Sequence, residues 1–153
     1  MLRNGWRKTP ERLLFLCADH SILSPMAEAF ACRYGGTDLE TYSAGITPQE
    51  INPLTVQVMA EAGYDLSGHV SQGIDAYLEK LPIQTLITLD GPSQENCPAV
   101  WPGATRRLAW SFPNPGAVLG PEEQRLAAFR SARNLVEARV RAWLAEWTVA
   151  RGP

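Results

Sequence analysis

The sequence predicts a small doubly wound α/β domain, four parallel strands in one sheet with helices on both faces. Three observations lead there. Short apolar or β-branched runs alternate with stretches of helical period, the order expected when helices carry the chain between parallel strands. The runs at 13–16 (Leu-Leu-Phe-Leu) and 85–89 (Thr-Leu-Ile-Thr-Leu) are unbroken rather than alternating, which suits strands covered on both faces. One long amphipathic stretch then closes the chain.

In chain order, residues 1–11 read as a flexible lead-in broken by Gly5 and Pro10, and 12–150 as a single domain. The first strand is expected at 12–17. Ser24 supplies an N-cap hydroxyl and Pro25 suits a first helical turn, so a helix follows, with Met26, Phe30 and Tyr34 on one face and Gly35-Gly36 ending it. A second strand is expected at 39–44. Asn52-Pro53 opens a helix with the stripe Leu54, Val58 and Ala62, ended by Gly63. A short helix is expected at 74–81 and a third strand at 84–90. The stretch 91–103 is rich in Pro and Gly and reads as an irregular connection, followed by a fourth strand at 107–112. The last helix, 121–148, carries Leu126, Phe129, Ala132, Val136, Val140, Trp143 and Trp147 at steps of three and four, a face for the sheet.

With 153 residues, 45% of them hydrophobic, the chain is long enough to bury one substantial core. A formal charge of −2 gives no electrostatic reason to expect nucleic acid or an anionic membrane as partner. The basic residues near the start (Arg3, Arg7, Lys8) lack the apolar run of a signal peptide, and no stretch is long enough for a membrane span. Three cysteines without a CxxC pair argue against a disulfide scaffold and a structural zinc site. A reducing cytoplasm is the expected compartment.

The candidate site is the loop between the first strand and first helix: Cys17, Ala18, Asp19, His20, Ser21, Ile22, Leu23 and Ser24. A loop there gathers backbone N–H groups at one point, where anions bind and a thiol's pKa falls. In doubly wound sheets the ligand crevice lies beyond the strands' carboxyl ends, and Cys17, Asp90 and Asn114 all fall at or just past such ends.

These residues resemble the low-molecular-weight protein tyrosine phosphatase family, in its thioredoxin-coupled arsenate reductase branch. The strand, Cys17, five residues, Leu23-Ser24 and Met26-Ala27-Glu28 match the family's Cys-x5-Arg-Ser and Met-Ala-Glu helix. Ser43-Ala44-Gly45, Asp65-Leu66-Ser67-Gly68-His69, Asn96-Cys97-Pro98 and Trp110-Ser111-Phe112-Pro113-Asn114-Pro115 follow in the family's order. The resemblance implies a thiolate nucleophile at Cys17, an oxyanion clamp where Leu23 stands and a general acid where Asn114 stands. Leucine binds no anion and asparagine is no acid, while Asp19 adds a carboxylate where the family has a small residue. Asp90 holds the place of one redox cysteine, which leaves Cys97 as the possible resolving thiol. Ser43 and Glu28 resemble residues that brace the loop, in some members around a monovalent cation, and His20 replaces an asparagine of that arrangement.

The expectation is therefore a degenerate member that binds an unknown ligand or protein partner at the loop crevice, without efficient catalysis and without a cofactor. The alternative is an active thiol-dependent arsenate reductase or phosphatase using Cys17, with Arg106 or Arg107 as replacement cation. Thioredoxin is a partner only in that alternative. Asp19, His20 and Asp90 are weak candidates for a metal site of mixed ligands. Cys32 is expected to be simple packing.

Overall fold

A computed structural model describes residues 9–151. Most of the expected lead-in, with Gly5 and the three early basic residues, lies outside the described residues. Glu11, expected within that lead-in, already opens a strand. The four strands are β1 (Glu11–Cys17), β2 (Leu39–Gly45), β3 (Thr85–Thr88) and β4 (Arg106–Ala109), ordered β2-β1-β3-β4 with every pairing parallel. β1 is central, as its unbroken apolar run predicts, and Leu13, Leu14, Phe15 and Leu16 are wholly buried.

The alternation of β1's side chains feeds two separate cores. Leu13, Phe15 and Cys17 face α1 (Leu23–Gly35), α2 (Pro53–Glu61) and α4 (Glu122–Arg151), in a cluster with Met26, Phe30, Val58, Phe129, Val136 and Trp143. Leu14 and Leu16 face the other way, onto Ala44, Ile83, Leu86 and Trp101. Burying each of these β1 side chains contributes on the order of 1.5–3 kcal/mol. No helix among the described residues is long and apolar enough to cross a membrane.

Several expectations change in detail. The N-cap of α1 is Ile22, without a side-chain cap, and Ser24 turns toward Cys17 instead. The segment 74–81 forms only a 3-10 turn at Ile74–Ala76 and then loose turns, with Glu79 at φ 63°. β3 and β4 are shorter than expected, because Leu89 and Trp110 bond onward to Leu16 and Thr88 without forming further ladder. The expected irregular connection contains α3 (Gly91–Asn96), capped by Asp90, whose carboxylate accepts from the Ser93 N–H at 2.9 Å. Cys32 is exposed rather than packed, and so is Tyr34, whose hydroxyl donates to Glu137 at 2.8 Å.

Candidate functional site

The loop leaves the end of β1 and is clamped from outside by the chain after β2. The carbonyls of Cys17, Ala18, Asp19 and Ser21 accept from the N–H groups of Ile46 (3.1 Å), Thr47 (2.9 Å), Gln49 (2.8 Å) and Asn52 (3.0 Å). The Thr55 hydroxyl adds a bond to the Ser21 carbonyl at 2.9 Å. With these carbonyls engaged outside, the loop's amides are left to the inside. Gly45 allows this approach, since a Cβ there would lie 2.6 Å from the Asp19 carbonyl carbon and 2.7 Å from the His20 nitrogen.

Internal acceptors hold three of the loop's amides. Ala18 N–H donates to the Asp90 carboxylate at 2.9 Å, and His20 N–H to the Cys17 sulfur at 3.2 Å. Ser21 gives its N–H (3.1 Å) and its hydroxyl (2.8 Å) to the Asp19 carboxylate. Leu23, at the clamp position, is buried in the core beside Ile22 and Met26.

Cys17 is 2% exposed, and its sulfur lies 2.9 Å from the Ser24 hydroxyl. Burial pushes its pKa up, the opposite of the expected fall. The hydrogen bonds from Ser24 and His20 pull downward, the Asp90 charge adds to the rise, and burial wins.

His20 is the largest departure from expectation. A polar loop side chain should face water, yet this one is wholly buried, at φ 59°. Its Nδ1 accepts the Gln72 N–H at 2.7 Å, so the ring's hydrogen sits on Nε2 and donates to the Ser43 hydroxyl, also at 2.7 Å. Ser43 in turn donates to Glu28. His69 stands at the end of this chain, its Nε2 3.4 Å from that of His20 and 3.8 Å from the Glu28 carboxylate. Burial, then the nearby His69, lowers the His20 pKa to about 4. Burial raises that of Glu28 against the pull of Ser43 and His69.

The expected metal candidates do not converge. Asp19 is folded back on Ser21, Asp90 caps α3 and reaches Ala18, and His20 points inward. Another set lies close: ligand atoms of His20, Glu28 and His69 fall within 4.8 Å of one another. The tautomer argues against an ion there. A metal needs the Nε2 lone pair, and moving the hydrogen to Nδ1 would oppose it to the Gln72 N–H. Nor does His20 offer the oxygen that a monovalent cation takes from an asparagine. These residues therefore fit a hydrogen-bonded brace and not a cation site.

Asn114 is where the sequence places it, beside the loop. It lines a crevice of about 370 Å³ with Asp19, Ser21, Glu50, Asn52 and Gly116, a lining without a cation. Its side-chain oxygen is occupied by the Gly116 N–H at 2.9 Å. Cys97 is not brought to Cys17. It packs on the Leu14/Leu16 side of the sheet, with Arg107 donating to its sulfur at 2.9 Å, whereas Cys17 belongs to the opposite core. Neither arginine replaces the clamp. Arg107 is spent on the Ala99 and Pro98 carbonyls as well as Cys97. Arg106 pairs in register with Thr85 and so with Leu13, four residues before Cys17 and about 13 Å back along the strands. His69 and Gln72 are site residues that sequence reasoning missed. His69 carries a signal, as the last residue of the Asp65–His69 segment that resembles the family, whereas nothing in the local pattern marks Gln72.

A parallel sheet ordered 2-1-3-4, with a cysteine closing its central strand under a carbonyl-clamped loop, defines a protein of the tyrosine-phosphatase-like α/β class. Comparison with known proteins narrows this. The family model for low molecular weight phosphotyrosine protein phosphatase matches residues 12–151, so the chain belongs to that family. It is 35% identical over 130 residues to an arsenate reductase of Halalkalibacterium halodurans and 34% identical over 129 residues to one of Bacillus subtilis. Each match covers 84% of this chain and 91% of the relative. Among solved structures it resembles an arsenate reductase in oxidized state (TM-score 0.75, 26% identity, 90% of this chain and 99% of the other). It also resembles an arsenate reductase in the phosphate binding state (TM-score 0.71, 27% identity, the same coverage).

Proposed function

We propose that this chain is an arsenate reductase-like member of the family whose loop no longer performs oxyanion chemistry and which acts by binding a ligand or protein partner at the loop crevice. The observation that carries the reading is the occupied loop. Two carboxylates and the thiol already hold the N–H groups of Ala18, His20 and Ser21, and a buried leucine stands at the clamp position. An incoming dianion would displace carboxylates without gaining a guanidinium. A charge-assisted hydrogen bond is worth about 1.5–3 kcal/mol, so the exchange is unfavourable. The raised thiol pKa adds to this, because the thiolate is the nucleophile. No redox partner such as thioredoxin belongs to this reading, since Cys97 packs on the other side of the sheet from Cys17.

The test is a thermal-shift titration with phosphate and arsenate, run beside p-nitrophenyl phosphate turnover. Millimolar oxyanion is expected to leave the melting temperature unchanged, and turnover to stay at background. Turnover that disappears in Cys17→Ser would establish the rival, a working thiol enzyme.

A further inference from the structure

The loop crevice has an apolar neighbour. The chain after β4 and one side of α4 form a slot of about 160 Å³, lined by Pro113, Asn114, Pro115, Val118, Ala132 and Leu135. Asn114 also lines the crevice, so the two hollows share a wall. Leu135 is 51% exposed and Val118 38%, an apolar rim that no described residue covers. The slot is about the size of apolar cavities that accept one small apolar group.

The crevice offers two kinds of polar contact. Asp19 and Glu50 supply carboxylates, and neither hollow is lined by a lysine or arginine. Asp19 engages Ser21 through one oxygen and keeps the other, while Glu50 is exposed and has no ion pair among the described residues. The starts of α1 and α2 lie beside the crevice and contribute roughly half a positive charge each, so the two carboxylates prevail. Asn52 and Asn114 have their side-chain oxygens occupied by the Leu54 and Gly116 N–H groups, both at 2.9 Å. Their NH2 groups, without partners among the described residues, suit carbonyl oxygens.

We infer that crevice and slot together dock an extended segment of a partner protein, one that carries an arginine two residues from a leucine or similar aliphatic side chain. This rests on the reading that the crevice binds a ligand or partner in place of an oxyanion. Side chains two apart on an extended segment share one face, which matches two hollows with a common wall. The guanidinium meets Asp19 and Glu50, since it is weakly hydrated and its fork suits carboxylates. The aliphatic side chain enters the slot, and carbonyls of the segment accept from Asn52 and Asn114. A free polyamine is a poorer occupant, because it would use the carboxylates and leave the slot and the NH2 groups idle.

The experiment is calorimetric titration of the full chain with two capped pentapeptides, acetyl-Ala-Arg-Ala-Leu-Ala-amide and the same peptide with Arg and Leu exchanged. At least one is expected to bind at one site, on the order of ten-fold more tightly than its counterpart with citrulline, the uncharged isostere of arginine. Glu50→Gln should remove most of that preference, and Leu135→Ser should weaken the peptide several-fold. Both side chains are exposed, so neither variant disturbs the core. No binding at millimolar peptide, equal affinity for the arginine and citrulline peptides, or full affinity in either variant would each overturn the inference. So would a free chain that runs as a dimer and dissociates in Leu135→Ser, since the slot would then belong to a second copy. None of these outcomes touches the loss of oxyanion chemistry, which p-nitrophenyl phosphate turnover decides.

Discussion

The buried His20 makes the stability of this protein depend on pH in a defined window. Its pKa is lowered from 6.5 to about 4 in the fold, so above pH 6.5 it is neutral in both folded and unfolded chains and adds no pH dependence. Below 6.5 the unfolded chain takes up a proton that the folded one refuses, and stability falls until the folded pKa is reached near 4. Each pKa unit is worth 1.36 kcal/mol, so the loss across that window is about 3 kcal/mol. Glu28 acts in the opposite sense, since its raised pKa makes the folded chain the better proton acceptor as pH drops. The contribution of His20 is therefore read as a difference. His20→Asn removes the titration and tolerates the positive φ, a conformation in which asparagine is enriched. Urea unfolding at pH 7.5 should find the variant less stable than the wild type, because Gln72 N–H and Ser43 lose their ring partner. At pH 4 that gap should have narrowed by about 3 kcal/mol. A gap that stays constant or widens between the two pH values would mean that His20 is not held neutral, and the tautomer argument against a cation would fall with it.

Three further outcomes follow from the loop. Asp90→Asn removes the charge that helps raise the Cys17 pKa, so iodoacetamide at fixed pH should label Cys17 faster than in the wild type, by mass spectrometry; an unchanged rate would show that the Asp90 charge does not act on the thiol. In the native wild type, exposed Cys32 should be alkylated first and buried Cys17 last; Cys17 reacting first would reverse the reading of its burial. Gly45→Ala places a methyl group within 2.6–2.7 Å of loop backbone, and denaturant unfolding should show a loss of at least about 1–3 kcal/mol, the usual cost of overpacking.

The framework was legible because it rests on local pattern. The unbroken run 13–16 signals a strand covered on both faces, and the stripe from Leu126 to Trp147 signals a helix lying on the sheet. The misses have a common cause, which is that a side chain's partner is far away in the chain. Ser24 resembles an N-cap in sequence but meets Cys17 and the Ala44 carbonyl, groups brought together only by the parallel pairing of β1 with β2. His20 looks like a solvated loop residue until Ser43 and Gln72 close over it. The raised pKa of Cys17 has the same origin. The position at a helix N-terminus is visible in sequence, while the burial that outweighs it is not. Asp90 was the recoverable one, since Asp-Gly-Pro-Ser is a helix start with Pro in the first turn and Ser at the reciprocal capping position.

Whether the lost chemistry lies in a few side chains or in the scaffold can be decided by rebuilding the loop. Leu23→Arg supplies the clamp, Asn114→Asp the acid, and Asp19→Gly removes one opposing carboxylate. From the sequence alone these three changes suffice, because the strand, the loop length and Cys17 are all present. The structure adds a fourth requirement. Asp90 would still hold the Ala18 N–H and still raise the thiol pKa, so the triple variant should gain little, and Asp90→Ala added to it should release the activity. The expected gain of the quadruple over the parent is at least about two orders of magnitude in p-nitrophenyl phosphate turnover, the lower end of what one general acid supplies. It should be more than additive, because clamp, acid and free amides serve one transition state. Two costs oppose it: Asp90→Ala uncaps α3, worth about 1 kcal/mol, and Leu23→Arg drives a guanidinium toward a site that is now core. Circular dichroism must therefore show each variant folded. A folded quadruple as inactive as the triple would place the defect in the backbone of the loop. A triple already as active as the quadruple would show that Asp90 does not obstruct the loop, and the main support for the proposed loss of oxyanion chemistry would be gone.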